Sequence, residues 1–126
     1  MFYRITATTL RIMRRKQTVG DIKLKNHPLI GMKRLYVLVN KRLSPVYGCV
    51  QGGHAVAQWL LDNPGQTWNN NFLIYLYADT DKWMKMLEDR GIKYSAFKEP
   101  DLNGTVTAIA VQENTGLMFQ TLKPVE

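Results

Sequence analysis

Polar side chains recur at helical spacing in the segment "SPVYGCVQGGHAVAQWLLD", which covers residues 44–62. Ser44 followed by Pro45 is typical of an N-cap and a first helical position, so we expect a helix over about 45–62. At roughly 100° per residue, four polar side chains fall on one narrow stripe of this helix: Tyr47, Gln51, His54 and Gln58. These groups donate and accept hydrogen bonds, and histidine also exchanges protons near neutral pH. The stripe is therefore a candidate site, and a structural role for His54 is an equal alternative.

The rest of the same helix carries small and aliphatic side chains over a broad arc. Its members are Val46, Cys49, Val50, Gly53, Val56, Ala57, Leu60 and Leu61. An apolar arc normally faces the core, so we predict that this arc is buried against a sheet. On that arrangement Gly53 lets the sheet approach closely, and Gly52 has no packing role.

The elements that position this helix follow from the hydrophobic pattern. Short runs rich in apolar side chains predict strands over 34–40, 72–78 and 105–111, and "KYSAFK", residues 93–98, predicts another. A second helix is predicted over about 81–90, capped by Asp79 or Thr80, with Trp83, Met84 and Leu87 on its core side. Gly91 follows where helix ends favour glycine, and the closing segment "TGLMFQTLKPV" has no assigned type. We predict a single α/β domain with a four-stranded mixed sheet flanked by helices.

Composition restricts the chemistry. The 126 residues are 45% hydrophobic and 21% charged, as in an ordinary folded protein. With Cys49 as the one cysteine and two histidines, the chain can form neither an internal disulfide nor a thiolate metal cluster. We expect no metal and no cofactor. No apolar run approaches the roughly 20 residues of a membrane span, so we expect no membrane partner and a cytoplasmic location.

The net charge of +7 is concentrated at the start of the chain. Residues 1–31 hold seven basic residues and one acidic residue, whereas residues 32–126 hold ten basic and nine acidic residues. We therefore separate a basic N-terminal extension, 1–31, from a domain, 32–126. Such an extension can bind phosphate, with Arg14, Arg15 and Lys16 as candidates. Three other interpretations stay open: a solvated tail, an organelle transit peptide, or an extension of little function before Met32.

Two motifs at suitable spacing resemble the peptidyl-tRNA hydrolase type 2 family. In that family a Gln–Cys–x–His–Ala signature follows the first strand, and here "QGGHA", residues 51–55, follows "LYVLV". A later strand of the family ends in an essential aspartate and leads into a Thr-Val-Leu-Gly-Ile-like strand. In "FKEPDLNGTVTAIAV", Glu99 takes the place of that aspartate and Thr105 that of the threonine. The resemblance covers about residues 32–122 and is nearest to divergent, often phage-encoded members, which would place a viral protein in the host cytoplasm.

The sequence also departs from the family. The family helix opens with a Gly-Lys-Gly-Lys-like stretch whose lysine serves catalysis, but "LSPVYG" has no lysine and Tyr47 stands near its place. The family's Arg-Thr-Gln-containing loop is replaced by the much shorter "PDLNG". The resemblance therefore supports the fold more strongly than the activity.

The resemblance implies roles for individual residues in cleaving the ester between a peptide and the 3′ ribose of tRNA. Glu99 would orient or deprotonate water, and His54 would share that task or hold Glu99 in position. Gln51 and Thr105 would bind the oxyanion or the ribose. Lys41 and Arg42, just before the helix, would attract phosphate and partly replace the missing charge.

Three functions therefore stay open. The first is a peptidyl-tRNA hydrolase, a carboxylic ester hydrolase whose partner is tRNA or peptidyl-tRNA. The second is an inactive tRNA- or RNA-binding module on the same fold, and the third is a module that binds another protein. A homodimer is compatible with each of them.

Overall fold

Four strands of the chain form one mixed sheet in the order β2-β1-β4-β3. The computed structural model describes residues 33–113 and 116–126. In this range the elements are β1 (Arg34–Asn40), α1 (Pro45–Asp62), β2 (Phe72–Ala78), α2 (Thr80–Asp89), β3 (Ser95–Glu99) and β4 (Thr105–Glu113). Short 3₁₀ turns follow at Pro100–Leu102 and Leu117–Phe119. The predicted α/β domain with a four-stranded mixed sheet is confirmed. The residues of the predicted basic extension, 1–31, including Arg14, Arg15 and Lys16, lie outside the described residues.

The strand directions bring several chain ends to one edge of the sheet. β1 and β2 are parallel, and β4 runs antiparallel to both β1 and β3. The carboxyl ends of β1, β2 and β3 and the start of β4 therefore share one edge, which we call the carboxyl edge. The chain leaves β1 there and enters α1 within a few residues. Polar groups at this edge can act together, as at the open ends of other α/β sheets.

Local signals set the helix ends as expected. The Ser44 hydroxyl oxygen accepts a hydrogen bond from the Tyr47 backbone N–H at 3.3 Å, with Pro45 opening α1. The Asp79 carboxylate accepts one from the Lys82 N–H at 3.3 Å and so caps α2. Gly91 has φ +66°, a left-handed conformation that suits the residue after a helix.

Apolar layers cover the two faces of the sheet. Toward α2, a cluster that includes Tyr36, Leu38 and Ile109 packs around Trp83 and Leu87, with Met84 half-buried beside it. Toward α1, the strands contribute small and β-branched side chains, among them Val37, Val39, Ala108 and Ala110. The predicted core side of α2 is confirmed.

The orientation of α1 differs from the prediction. The residues it buries are Gly48, Gln51, Gly52, Ala55 and Trp59. The aliphatic arc expected in the core instead faces outward, with Val46 79%, Val50 53% and Leu61 76% exposed. The helix is therefore rotated by roughly half a turn from the orientation that hydrophobicity favours. The reason is proximity: the small residues of α1 allow its backbone to lie close to β1, β3 and β4.

The two adjacent glycines have exchanged the roles expected of them. A Cβ atom at Gly52 would lie 2.4 Å from Cε2 of Tyr75 and 3.0 Å from Cγ1 of Val37, so no side chain fits there. A Cβ atom at Gly53 would have no atom within 4 Å. Gly52, and not Gly53, allows the close approach of α1 to the sheet.

The end of the chain covers the outer edge of β2. Pro124 pairs with Leu76, the Tyr77 N–H donates to the Lys123 carbonyl at 2.8 Å, and the Val125 N–H donates to the Tyr75 carbonyl at 3.2 Å. The closing element is therefore a 3₁₀ turn followed by a short edge pairing. Among the helices described, none has the length and apolar character needed to cross a bilayer.

Candidate functional site

A hydrogen-bonded network joins α1 to β3 and β4 near the carboxyl edge. The Gln51 side chain is 2% exposed. Its Nε2 donates to Oε2 of Glu99 at 3.0 Å, and its Oε1 accepts from the Thr107 hydroxyl at 2.8 Å. The hydroxyl therefore fixes the orientation of the amide, and the amide fixes one oxygen of the carboxylate. We call this set the Thr107–Gln51–Glu99 network.

A β-bulge gives Thr107 its place in this network. Phe97 pairs with Ala108, but the next residue, Lys98, pairs with Val106. Thr107 is therefore skipped in the pairing of β4 with β3. The extra residue of a bulge re-aims its side chain. The fully buried Thr107 hydroxyl consequently points toward Gln51 on α1.

Glu99 ends β3 and begins the turn that leads into β4. Its Oε1 accepts from the Asp101 N–H at 3.4 Å, which caps the 3₁₀ turn. Asn103 and Gly104 then adopt left-handed conformations, with φ values of +55° and +74°. The carboxylate is half-buried, with one oxygen held by α1 and the other by its own turn. It is thus a preorganised anionic group that solvent can reach.

His54 lies one helical turn beyond Gln51 and is exposed. Its imidazole stacks on the Phe97 ring, with the ring centroids 4.5 Å apart and the planes 17° from parallel. The contact that holds Glu99 in position, predicted for His54 as one alternative, is made by Gln51.

Three other candidate residues lie outside the Thr107–Gln51–Glu99 network. Thr105 is the strand partner of Glu99, but its exposed hydroxyl donates to the Leu102 carbonyl at 2.6 Å. Gln58, a member of the predicted polar stripe, donates to Asp62 at the far end of α1, at 2.8 Å. Tyr47 is exposed in the first turn of α1.

Lys41 and Arg42 lie where β1 leads into α1, and both are exposed. The Lys41 N–H donates to the Ala78 carbonyl at 3.0 Å, and the Arg42 N–H donates to Oδ1 of Asn40 at 3.0 Å. The connection is therefore anchored through its backbone, which leaves two cationic side chains at the carboxyl edge.

Two polar groups of this edge were missed by the sequence reasoning, besides Thr107. The Asn40 amide donates to the Thr80 hydroxyl and to the Val106 carbonyl, both at 3.3 Å. The Thr80 hydroxyl donates to the same carbonyl at 2.9 Å. These bonds tie the ends of β1 and β2 to β4. Their signal in the sequence was a polar residue directly after each apolar run, at Asn40 and Asp79–Thr80.

The buried ring of Tyr75 lies beside the network. Tyr75 packs against Gly52 behind Gln51, and burial, with a smaller contribution from nearby Cys49, raises the pKa of its phenol above the usual value. The phenol therefore stays neutral at physiological pH. Among the described residues, no group of three or more His, Cys, Asp or Glu side chains could hold a metal ion.

Comparison with known proteins shows a likeness of fold. No protein-family model matches the sequence, and no curated protein matches it significantly. The structure is similar to that of Atu0240, a protein of unknown function from Agrobacterium tumefaciens strain C58. The TM-score is 0.54 at 9% sequence identity, and the match covers 74% of this chain and 97% of that one. At this identity the likeness concerns the fold alone.

Proposed function

We propose that the protein hydrolyses the ester that joins a peptide to the 3′ ribose of tRNA, with Glu99 as the general base. The Thr107–Gln51–Glu99 network is the observation that carries this proposal. A buried hydroxyl and a buried amide support a half-buried carboxylate. A base oriented by a second group, which is itself oriented by a third, is a recurring arrangement in hydrolytic sites. The peptidyl-tRNA hydrolase type 2-like fold is part of the same proposal.

The proposed reaction needs only water and the ester. Glu99 accepts a proton from a water molecule as the water oxygen bonds to the ester carbonyl carbon. The tetrahedral intermediate then collapses, the bond to the ribose 3′ oxygen breaks, and Glu99 returns the proton to that oxygen. The products are a peptide with a free carboxyl group and a tRNA with a free 3′ hydroxyl. The carbonyl oxygen needs hydrogen-bond donors while it carries charge, and the Gln51 amide has a second N–H besides the one given to Glu99.

In this proposal the tRNA is bound by cationic side chains and an aromatic surface that flank the Glu99 carboxylate. Lys41 and Arg42 are exposed beside the N-terminus of α1, where phosphate groups bind favourably. The exposed His54 ring, stacked on Phe97, is a platform on which an unpaired base can stack. Arg14, Arg15 and Lys16 of the basic extension would add salt-dependent affinity.

A second candidate is an RNA-binding protein without catalysis. The observation that favours it is the segment Leu43–Gly48, which has no lysine and presents an exposed Tyr47 at the start of α1. In this candidate the network at Glu99 serves the stability of the fold, and the cationic residues serve binding.

The release of labelled peptide from peptidyl-tRNA separates the two candidates. We expect release by the full chain, a loss of about 100-fold or more in Glu99→Gln, and a smaller loss in His54→Ala. The matched control is Asp101→Asn, because Asp101 contacts Glu99 only through its backbone N–H among the bonds described.

Two outcomes would contradict the hydrolase proposal. One is peptide release no faster than in buffer while the protein still binds tRNA in a salt-dependent manner, which would favour the RNA-binding candidate. The other is equal release by the intact chain and by Glu99→Gln, which would remove Glu99 from the chemistry.

A further inference from the structure

The outward face of α1 is an apolar surface that the described part of the chain leaves uncovered. We call it the outer stripe, and it consists of Val46, Val50, Gly53, Ala57, Leu60 and Leu61. Three of its members are more than half exposed: Val46 at 79%, Val50 at 53% and Leu61 at 76%. Exposed residues of a surface helix are usually charged or polar, and contiguous apolar patches mark interaction sites.

We propose that the outer stripe is the interface of a homodimer, in which the α1 helices of two copies cross in antiparallel fashion. The order of side chains along the stripe supports a second copy as the occupant. With a two-fold axis near Gly53, Val46 of one copy lies opposite Leu61 of the other, and Val50 lies opposite Ala57. Large residues at both ends and small residues near the middle allow the two helices to approach closely at the axis. A symmetric dimer requires such a self-complementary surface.

Charge also favours a second copy over other partners. The chain carries a net charge of +7, yet between residues 45 and 61 it has no Lys, Arg, Asp or Glu. In a symmetric interface a charge near the two-fold axis meets its own copy, and a charge elsewhere needs an opposite charge on the facing residue, so an uncharged stripe suits self-association. A nucleic acid would need cations on this face, and an acidic partner would need them as well.

The stripe alone is smaller than a stable interface, but an adjoining cleft extends it. The 18 residues of α1 span about 27 Å, and a stable dimer buries about 800 Å² on each partner. Beside the stripe lies a cleft of about 530 Å³ between α1, β2 and the loop before β2. Its lining includes Val56, Trp68 and Leu73, and Gly53 and Leu60 belong to both surfaces. In the proposed dimer the rims of two such clefts add to the area that the crossing helices bury.

Sedimentation equilibrium of the full 126-residue chain tests the dimer. The monomer mass is 14.5 kDa, and we expect about twice that value at a concentration of roughly 100 µM. Val50→Lys places an unpaired charge in the interface, opposite Ala57 of the other copy, and we expect it to raise the dissociation constant at least 100-fold while the circular dichroism spectrum is retained. The control is Leu117→Lys, because Leu117 is also largely exposed but lies in the 3₁₀ turn after β4.

A cross-link tests the position of the axis. In a Cys49→Ser background, Gly53→Cys should form a disulfide between two copies under mild oxidation, whereas Leu117→Cys should not. A monomeric mass for the intact chain would overturn the proposal. The proposal would also be overturned if the chain were monomeric and Val50→Lys lowered its free energy of unfolding. Residues 1–32 of the same chain would then cover the stripe. The outcome does not depend on any hydrolase activity.

Discussion

The buried face of α1 is less hydrophobic than its exposed face. The face against the sheet consists of glycine, alanine, glutamine and a single tryptophan, and it buries Gln51 as part of a polar network. The face toward solvent carries most of the aliphatic side chains of the helix. Gly52 and Gly53, neighbours in sequence, illustrate the contrast: one is closed in by Tyr75 and Val37, and the other is open.

This contrast shows that close approach, rather than apolar area, selects the inner face of the helix. The sheet surface beneath α1 is built from small and β-branched strand residues and from the large ring of Tyr75, and the helix contributes small residues to complete the layer. Such proximity lets a short amide side chain reach both Glu99 and Thr107. The aliphatic residues are then left on the surface, where we assign them to a second copy.

The largest difference in stability between the two faces is expected when an alanine on each face is replaced by leucine. Ala55 is fully buried against the sheet, and Ala57 is exposed. Ala55→Leu should lower the free energy of unfolding by about 3 kcal/mol, because the added atoms have no space in a packed layer. Ala57→Leu should change it by less than about 0.5 kcal/mol. Urea denaturation at a concentration where the chain is monomeric measures both, and equal losses would show that α1 is oriented differently.

A smaller loss of stability is expected when either of two threonines of β4 is replaced by valine. Thr107→Val leaves the buried Oε1 of Gln51 without the donor it has in the structure, and should cost about 1–3 kcal/mol of stability. Thr105→Val removes an exposed hydrogen bond to the Leu102 carbonyl and should cost less than about 1 kcal/mol. If the variants also lower peptide release, Thr107→Val should do so more strongly. A larger cost at Thr105 in denaturation experiments would contradict the bulge assignment.

Much of the fold could be predicted from the sequence. Short runs of strand-forming residues gave the four strands to within two residues at either end. Ser44 gave the start of α1, and the alternatives Asp79 and Thr80 gave that of α2 to within one residue. These signals are local, and each depends on a few neighbouring residues. The resemblance also implied that Gln51 and Glu99 belong to one site, and the structure joins them by a hydrogen bond, whereas Thr107, which orients Gln51, was not among the candidates.

The parts that escaped prediction depend on contacts across the fold. The bulge at Thr107 is set by the pairing of β3 with β4, which no pattern within "TVTAIAV" reveals. The orientation of α1 was wrong because an apolar arc was assumed to mark the core. The orientation is set instead by the narrow gap between α1 and Tyr75, a residue of β2 that is far away in the chain.

The orientation of α1 is the central claim, since it places Gln51 beside Glu99 and Val50 on the surface. The most direct test compares the unfolding free energies of Gly52→Ala and Gly53→Ala under monomeric conditions. At Gly52 the methyl group would lie 2.4 Å from the Tyr75 ring, and we expect a loss of about 3 kcal/mol. At Gly53 the space is open, and the higher helix propensity of alanine should give a gain of about 1 kcal/mol. A gain at Gly52 or a comparable loss at Gly53 would contradict the account.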